Sequence, residues 1–267
     1  MNKRDFLRTV GGASVGMMFG PELLAQYANT PAHVLAEDEV FWAAVRAKFR
    51  LTPEYINLEN GYYCFQPEEA LEQFIGHVRH VNYLGSRYMR TVKDEDKLRV
   101  RTRLAALAGC SPAELIITRN TTESLDTVIA GFNRDAGDEA VMANQDYGAM
   151  LDQFRLMARR HGMVNRYVDI PLDPKSDDEV VQLYANALTS KTRLLMIPHM
   201  VNITGHVLPV RAICDMAHSR AVPVLVARAP SLAPPDFRLP HLHLDTYCAL
   251  LHQSLSRPPR PALTPSA

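Results

Sequence analysis

Apolar positions along this chain follow two rhythms. Over 34–48, 67–84 and 92–108 they recur every three or four residues, the spacing of a helix with one dry face. Pro67 suits a first helical turn and Gly109 a stop. From residue 114 onward the rhythm changes to short apolar runs: Glu114–Thr118, Ala140–Ala143, Val164–Ile170, Arg193–Pro198, Val222–Val226 and Thr246–Leu251. Helical spacing returns between most of them, over 122–131, 147–161, 177–189 and 210–219. Short buried strands alternating with helices predict an α/β fold: a three-layer α/β/α sandwich around a mostly parallel sheet. Ligands of such sheets gather beyond the carboxyl ends of the strands.

The two ends break the rhythm. Asn2-Lys3-Arg4-Asp5-Phe6-Leu7 followed by the small, apolar stretch Val10–Gly20 has the layout of a processing signal. It resembles a twin-arginine export signal with lysine in place of the first arginine, and is too short and glycine-rich to span a bilayer. Residues 1–30 are therefore set apart from the fold. The expected location is periplasmic or secreted, and cytoplasmic if the signal is not used. At the other end, residues 254–267 carry Arg257-Pro258-Pro259-Arg260-Pro261, whose prolines remove donors and fix the backbone, so a loose, disordered tail is predicted. One domain is expected over 31–253, with Thr246–Leu251 its last strand and an open sheet edge beyond it.

Composition narrows the function classes. Lys and Arg total 29 and Asp and Glu total 29, a formal charge of zero that gives no reason to expect nucleic acid or a membrane as partner, export machinery aside. The cysteines Cys64, Cys110, Cys214 and Cys248 are too scattered for a zinc knot or a CxxC pair and read as buried thiols, with no metal site implied. No GxGxxG follows any strand. Asn120, after the first strand and three residues before Glu123, reads as a capping box. It places free backbone N–H groups and the hydroxyls of Thr121 and Thr122 at the sheet's carboxyl edge. That arrangement serves a phosphate or is a plain cap.

Four segments in this order carry a resemblance: Leu58-Glu59-Asn60-Gly61-Tyr62, Ile117-Thr118-Arg119-Asn120-Thr121-Thr122-Glu123-Ser124, Asp146-Tyr147-Gly148-Ala149 and His199-Met200-Val201-Asn202-Ile203-Thr204-Gly205. Together they resemble class V aminotransferases, in the branch similar to isopenicillin N epimerase and the cysteine desulfurases. The resemblance implies a fold-type I pyridoxal-phosphate enzyme, usually dimeric, acting on small amino-acid substrates. It assigns phosphate binding to Thr121 and Thr122, ring stacking to Tyr147, contact with the phenolic oxygen to Asn202, and cofactor contact to His252. Tyr147 also reads as a half-buried tyrosine over the core, Asn202 as a turn residue, and His199 as a satisfied loop histidine rather than a base.

Two positions depart from the family pattern. The fifth strand of the family ends in an aspartate that pairs with the protonated pyridine nitrogen; here the segment is Ala227-Arg228-Ala229-Pro230. Ala227 carries no charge, and a cationic Arg228 disfavours protonation nearby. Where the family has histidine and then the Schiff-base lysine, this chain has His252-Gln253. The family's C-terminal small domain has no counterpart. The expectation is a truncated, degenerate relative with no catalytic residue assigned, binding pyridoxal phosphate without a covalent link. It is set against a binding or regulatory protein for a phosphorylated small molecule, acting as a homodimer or beside an intact paralogue.

Overall fold

The computed structural model describes residues 26–27, 29–58, 64–228, 239–250 and 262–265. Most of residues 1–30, read above as a signal, residues 59–62 of the first motif, His252, Gln253, Arg257 and the side chain of Arg228 lie outside the described residues. Where the sequence reads one domain over 31–253, the chain divides into two compact units, one built chiefly from residues 1–100 and one from 101–230, 238–250 and 261–267.

The first unit is helical. The stretch predicted as one helix over 34–48 is two, α1 (Ala32–Leu35) and α2 (Glu39–Arg46), because Asp38 turns its carboxylate onto the Val40 and Phe41 amides and starts a new helix. Phe41 and Val45 are buried, and Trp42 meets the Phe41 ring edge-on. Helix α3 (Glu68–Leu84) ends at Gly85, which has positive φ. A further short helix, α4 (Ser86–Thr91), precedes α5 (Lys93–Ala108), whose residues from Arg101 onward count with the second unit. Lys48 pairs with Glu69 at 2.6 Å.

The second unit holds the sheet. Strands β1 (Leu115–Thr118), β2 (Glu139–Ala143), β3 (Val164–Val168), β4 (Thr192–Pro198), β5 (Val224–Arg228), β6 (Thr246–Leu250) and β7 (Ala262–Pro265) lie in the order β1-β7-β6-β5-β4-β2-β3. The pairings among β2, β3, β4, β5 and β6 are parallel. Helices α6 (Thr121–Gly131), α7 (Gly148–His161), α8 (Asp177–Ala187) and α9 (Val210–His218) alternate with these strands.

The tail corrects an expectation. Ala262–Pro265 is not loose but forms β7, antiparallel to both β1 and β6, with Leu263 opposite Ile117 and Ala249. Strand β1 pairs with all four residues of this segment, and β6 with Ala262 and Leu263, so the segment is held by ladders on both sides. Proline is tolerated at a strand end, where Pro265 sits opposite Leu115. The edge expected beyond β6 is thereby closed.

Alternation along the strands separates two cores. Ala140, Met142, Leu194, Met196, Leu225 and Cys248 pack against Leu125 and Ile129 of α6 and Met150 and Phe154 of α7. The residues between them in sequence, such as Val141, Leu195, Ile197 and Val226, are equally buried, as are Val180 and Tyr184 of α8 and Ile213 of α9. A fully buried β2 shows that both faces are covered.

The thiols divide accordingly. Cys214 and Cys248 are buried, whereas Cys64 and Cys110 are half-buried, and none of the four is joined in a disulfide. Burial pushes the Cys214 thiol up to about 12, with Asp245 and Asp215 adding to it. Iodoacetamide at pH 8 is expected to label Cys64 first and to leave Cys214 unmodified until the chain unfolds, as read by peptide mass spectrometry. Rapid labelling of Cys214 in the native chain would contradict this packing.

Candidate functional site

The carboxyl ends of β1, β2, β4 and β5 carry the residues singled out from sequence. After β1, Asn120 adopts extended dihedrals and its side-chain oxygen accepts from the Glu123 N–H at 2.8 Å, which starts α6. The return bond of the cap goes one residue further than expected. Glu123 accepts from the Arg119 N–H at 2.6 Å and pairs with the Arg119 guanidinium at 3.1 Å. The Arg119 N–H, foremost, holds the Glu123 carboxyl below its usual range. Arg119 is thus tied back along the loop.

At the first turn of α6, Thr118 and Ser124 share a hydroxyl hydrogen bond of 2.6 Å. Sequence reasoning had not linked these two, although both lie in the same motif. Thr121 is only 5% exposed and its hydroxyl oxygen is buried without a hydrogen-bond partner. Thr122 is half-buried beside it. A buried hydroxyl without a partner is costly, and Thr121 and Thr122 are the first two residues of α6, whose N–H groups have no acceptor within the helix.

After β2, a tight turn brings the chain into α7. Asn144 and Gln145 fasten this turn to the β3–α8 connection: the Asn144 amide meets Asp169 at 2.6 Å, and Gln145 exchanges two hydrogen bonds with Ile170. Tyr147 occupies the N-cap of α7 and is 47% exposed, making no side-chain cap bond. It is therefore the more open of its two readings, a ring face available to a ligand.

Asp146, immediately before it, is a motif residue to which the resemblance assigns no role. It is 4% exposed and its Oδ2 accepts from the Ala143 N–H at 2.7 Å. Burial pushes its carboxyl up to about 7, and the Ala143 N–H offsets this only in part. An aspartate between the end of an apolar strand and a helix start was the available signal.

After β4, His199 is buried beside the Tyr247 ring, with centroids 6.3 Å apart, and its backbone N–H donates to Ala227. The chain then folds back as a hairpin in which Val201 accepts from Gly205 at 2.8 Å, and Asn202 is exposed at its turn. Near the end of β5, Ala227 is half-buried and packs its methyl group on the core between the sheet, α6 and α7.

Thr121, Thr122, Tyr147, Asn202 and Ala227 thus share one rim of the sheet; His252 and Gln253 fall outside the described residues. The only lysines in the sheet unit are Lys175 and Lys191. Lys191 precedes β4 at the opposite rim, and Lys175 is exposed in the β3–α8 connection. Among the described residues no group of three His, Cys, Asp or Glu side chains could hold a metal ion.

A mostly parallel sheet of this order flanked by helices has the fold of the large domain of fold-type I pyridoxal-phosphate enzymes. The aminotransferase class-V family model matches residues 66–253, and the chain belongs to that family. It is 27% identical over 219 residues to isopenicillin N epimerase of Streptomyces clavuligerus, covering 81% of this chain and 54% of that protein. To the epimerase of Amycolatopsis lactamdurans it is 34% identical over 163 residues, covering 59% and 40%. Among solved structures, the apo cysteine desulfurase from Thermococcus onnurineus NA1 superposes with a TM-score of 0.69 at 20% identity, covering 83% of this chain and 56% of that one. The chain spans about half the length of the curated relatives it matches.

The fit to pyridoxal phosphate differs between the two ends of the site. The phosphate end fits: the first N–H groups of α6 and the unpartnered Thr121 hydroxyl are donors that a phosphate would satisfy. The ring-nitrogen end does not fit. Ala227 offers a methyl group where a carboxylate would be needed to keep a pyridine nitrogen protonated.

Proposed function

We propose that this chain is a degenerate member of its pyridoxal-phosphate family, descended from an epimerase- or transferase-like enzyme, that holds a phosphorylated ligand without capturing it covalently. The observation carrying this reading is Ala227, half-buried and packed against the hydrophobic core near the end of β5. With no carboxylate there, a bound pyridine ring would lose its electron sink. With Gln253 at the family's lysine position, no primary amine would form the imine link. A second reading, a binding protein for phosphorylated small molecules, is favoured by the buried Thr121 hydroxyl at the start of α6.

The test is to purify the full chain with pyridoxal phosphate, record its visible spectrum, reduce with borohydride and map the peptides by mass spectrometry. Expected is saturable binding that inorganic phosphate competes away, with no reduced adduct on any lysine. A stoichiometric adduct on one lysine would overturn the proposal. Binding of phosphorylated compounds that lack an aldehyde as tightly as the coenzyme would favour the second reading. Replacing Ala227 with Asp and Gln253 with Lys together is expected to restore an imine band if those two side chains are what is missing.

A further inference from the structure

The first unit contains a cavity of its own, about 300 Å³ in volume, lined by residues between 46 and 65. Local bonds shape it. Helix α2 ends at Arg46, whose carbonyl accepts from the Phe49 N–H at 3.0 Å and curls the chain. The Lys48 carbonyl then accepts from the Glu68 N–H at 2.9 Å, and the Lys48 ammonium pairs with Glu69 at 2.6 Å. These contacts hold the end of α2 beside the start of α3, so that Phe49 and Phe65 line one space.

Its chemistry is lopsided. Phe49, Tyr55 and Phe65 contribute three aromatic rings, and Tyr55 is 59% exposed. Asn57 and Cys64 add an amide and a thiol. Among the described residues lining the cavity, Arg46 is the one charged side chain, with no carboxylate there to neutralise it. Among the described residues it also enters no ion pair, whereas Lys48, two positions on, is held by Glu69. A guanidinium at a helix C-terminus complements the dipole, but that role needs neither the rings nor the cavity. Apolar and aromatic walls with a few polar groups are the composition of a small-molecule site.

The charge selects the ligand class. One guanidinium matches one carboxylate, fork to fork, and would leave a phosphate dianion half neutralised. The rings favour a flat apolar body that stacks offset or edge-on. We propose that this cavity binds a small aromatic monocarboxylate, its ring among Phe49, Tyr55 and Phe65 and its carboxylate on the Arg46 guanidinium. It is a second site, independent of the phosphate reading of Thr121 and Thr122.

The test uses the full chain with 3-phenylpropionate as the probe. Titration calorimetry is expected to show saturable binding. The neutral counterpart, 3-phenylpropanamide, should bind at least about tenfold more weakly, because it lacks the charge that Arg46 recognises. Arg46→Gln should bring the acid down to the level of the amide and leave the amide unchanged. Arg46→Lys should fall between, since an ammonium keeps the charge and loses the fork. Cys64 supplies a readout at the site itself. Saturating 3-phenylpropionate should slow its alkylation by iodoacetamide, while Cys110, outside the lining, reacts at its former rate. The acid–amide comparison and the Cys64 protection both use the native chain, so neither depends on a variant folding. Absence of saturable binding, equal affinity for acid and amide, an Arg46→Gln chain that keeps the acid's advantage, or equal slowing at both thiols would each overturn the proposal. Displacement of the acid by pyridoxal phosphate would place it at the sheet's rim and overturn the proposal too. Failure of pyridoxal phosphate to bind at all would overturn the functional reading and leave this site standing.

Discussion

Asp146→Asn is expected to flatten a fall in stability that the native chain shows between about pH 4 and pH 7. The Asp146 carboxyl is raised in the folded state from 3.8 to about 7, so the native state binds its proton more tightly than the unfolded chain does. Its stabilising contribution is full below the unfolded value and disappears as pH rises through the folded one. This is the reverse of a paired surface carboxylate. A shift of this size corresponds to roughly 4 kcal/mol across the window. Glu123 and Glu139 are displaced the other way, through the Arg119 N–H and the Arg166 guanidinium respectively, so their contributions change at more acid pH and do not mask the effect. Urea midpoints at pH 4.5 and pH 8 for the two chains provide the check. Parallel slopes would mean that Asp146 ionises freely and is not enclosed.

Phe154→Ala should cost about 3–5 kcal/mol, a fall in the folding constant of a hundredfold or more. Phe154 is fully buried where α7 meets the sheet, within the core that includes Met142, Met196 and Leu225. The ring cannot be replaced by neighbours already held at crystal-like density, so removal leaves a void. The measurement is guanidinium unfolding followed by tryptophan-independent circular dichroism, because the only Trp, Trp42, belongs to the other unit. A loss below 1 kcal/mol would show that α7 does not seal this face. Since Tyr147 heads the same helix, a severe loss would also displace one wall of the ligand rim.

How far the molecule was readable depended on the range of the interactions involved. The strands β2, β4 and β6 fell within a residue of their expected starts, because a run buried on both faces is apolar at every position and bounded by turn residues. The Asn120 cap was legible for a similar reason: cap, first turn and Glu123 are all local. Asp38 carried an equally local signal, but it lies inside a continuous helical rhythm and the periodicity concealed it. The fate of Ala262–Pro265 was illegible for another reason. Its neighbouring prolines argue against a strand locally, and only the two open ladders of β1 and β6 give it a place.

That last strand constrains the order in which the sheet can assemble. β1 touches the rest of the sheet through β7, yet it comes first among the strands while β7 comes last. The central parallel ladder can zip as its crossovers close, but β1 stays unpaired until nearly all the intervening chain has been ordered. Loop closure over that span comes at the end and is entropically the most expensive, so the slowest refolding phase should be the one that docks β1. During that interval its backbone is free to pair with another molecule, which makes refolding yield fall as protein concentration rises.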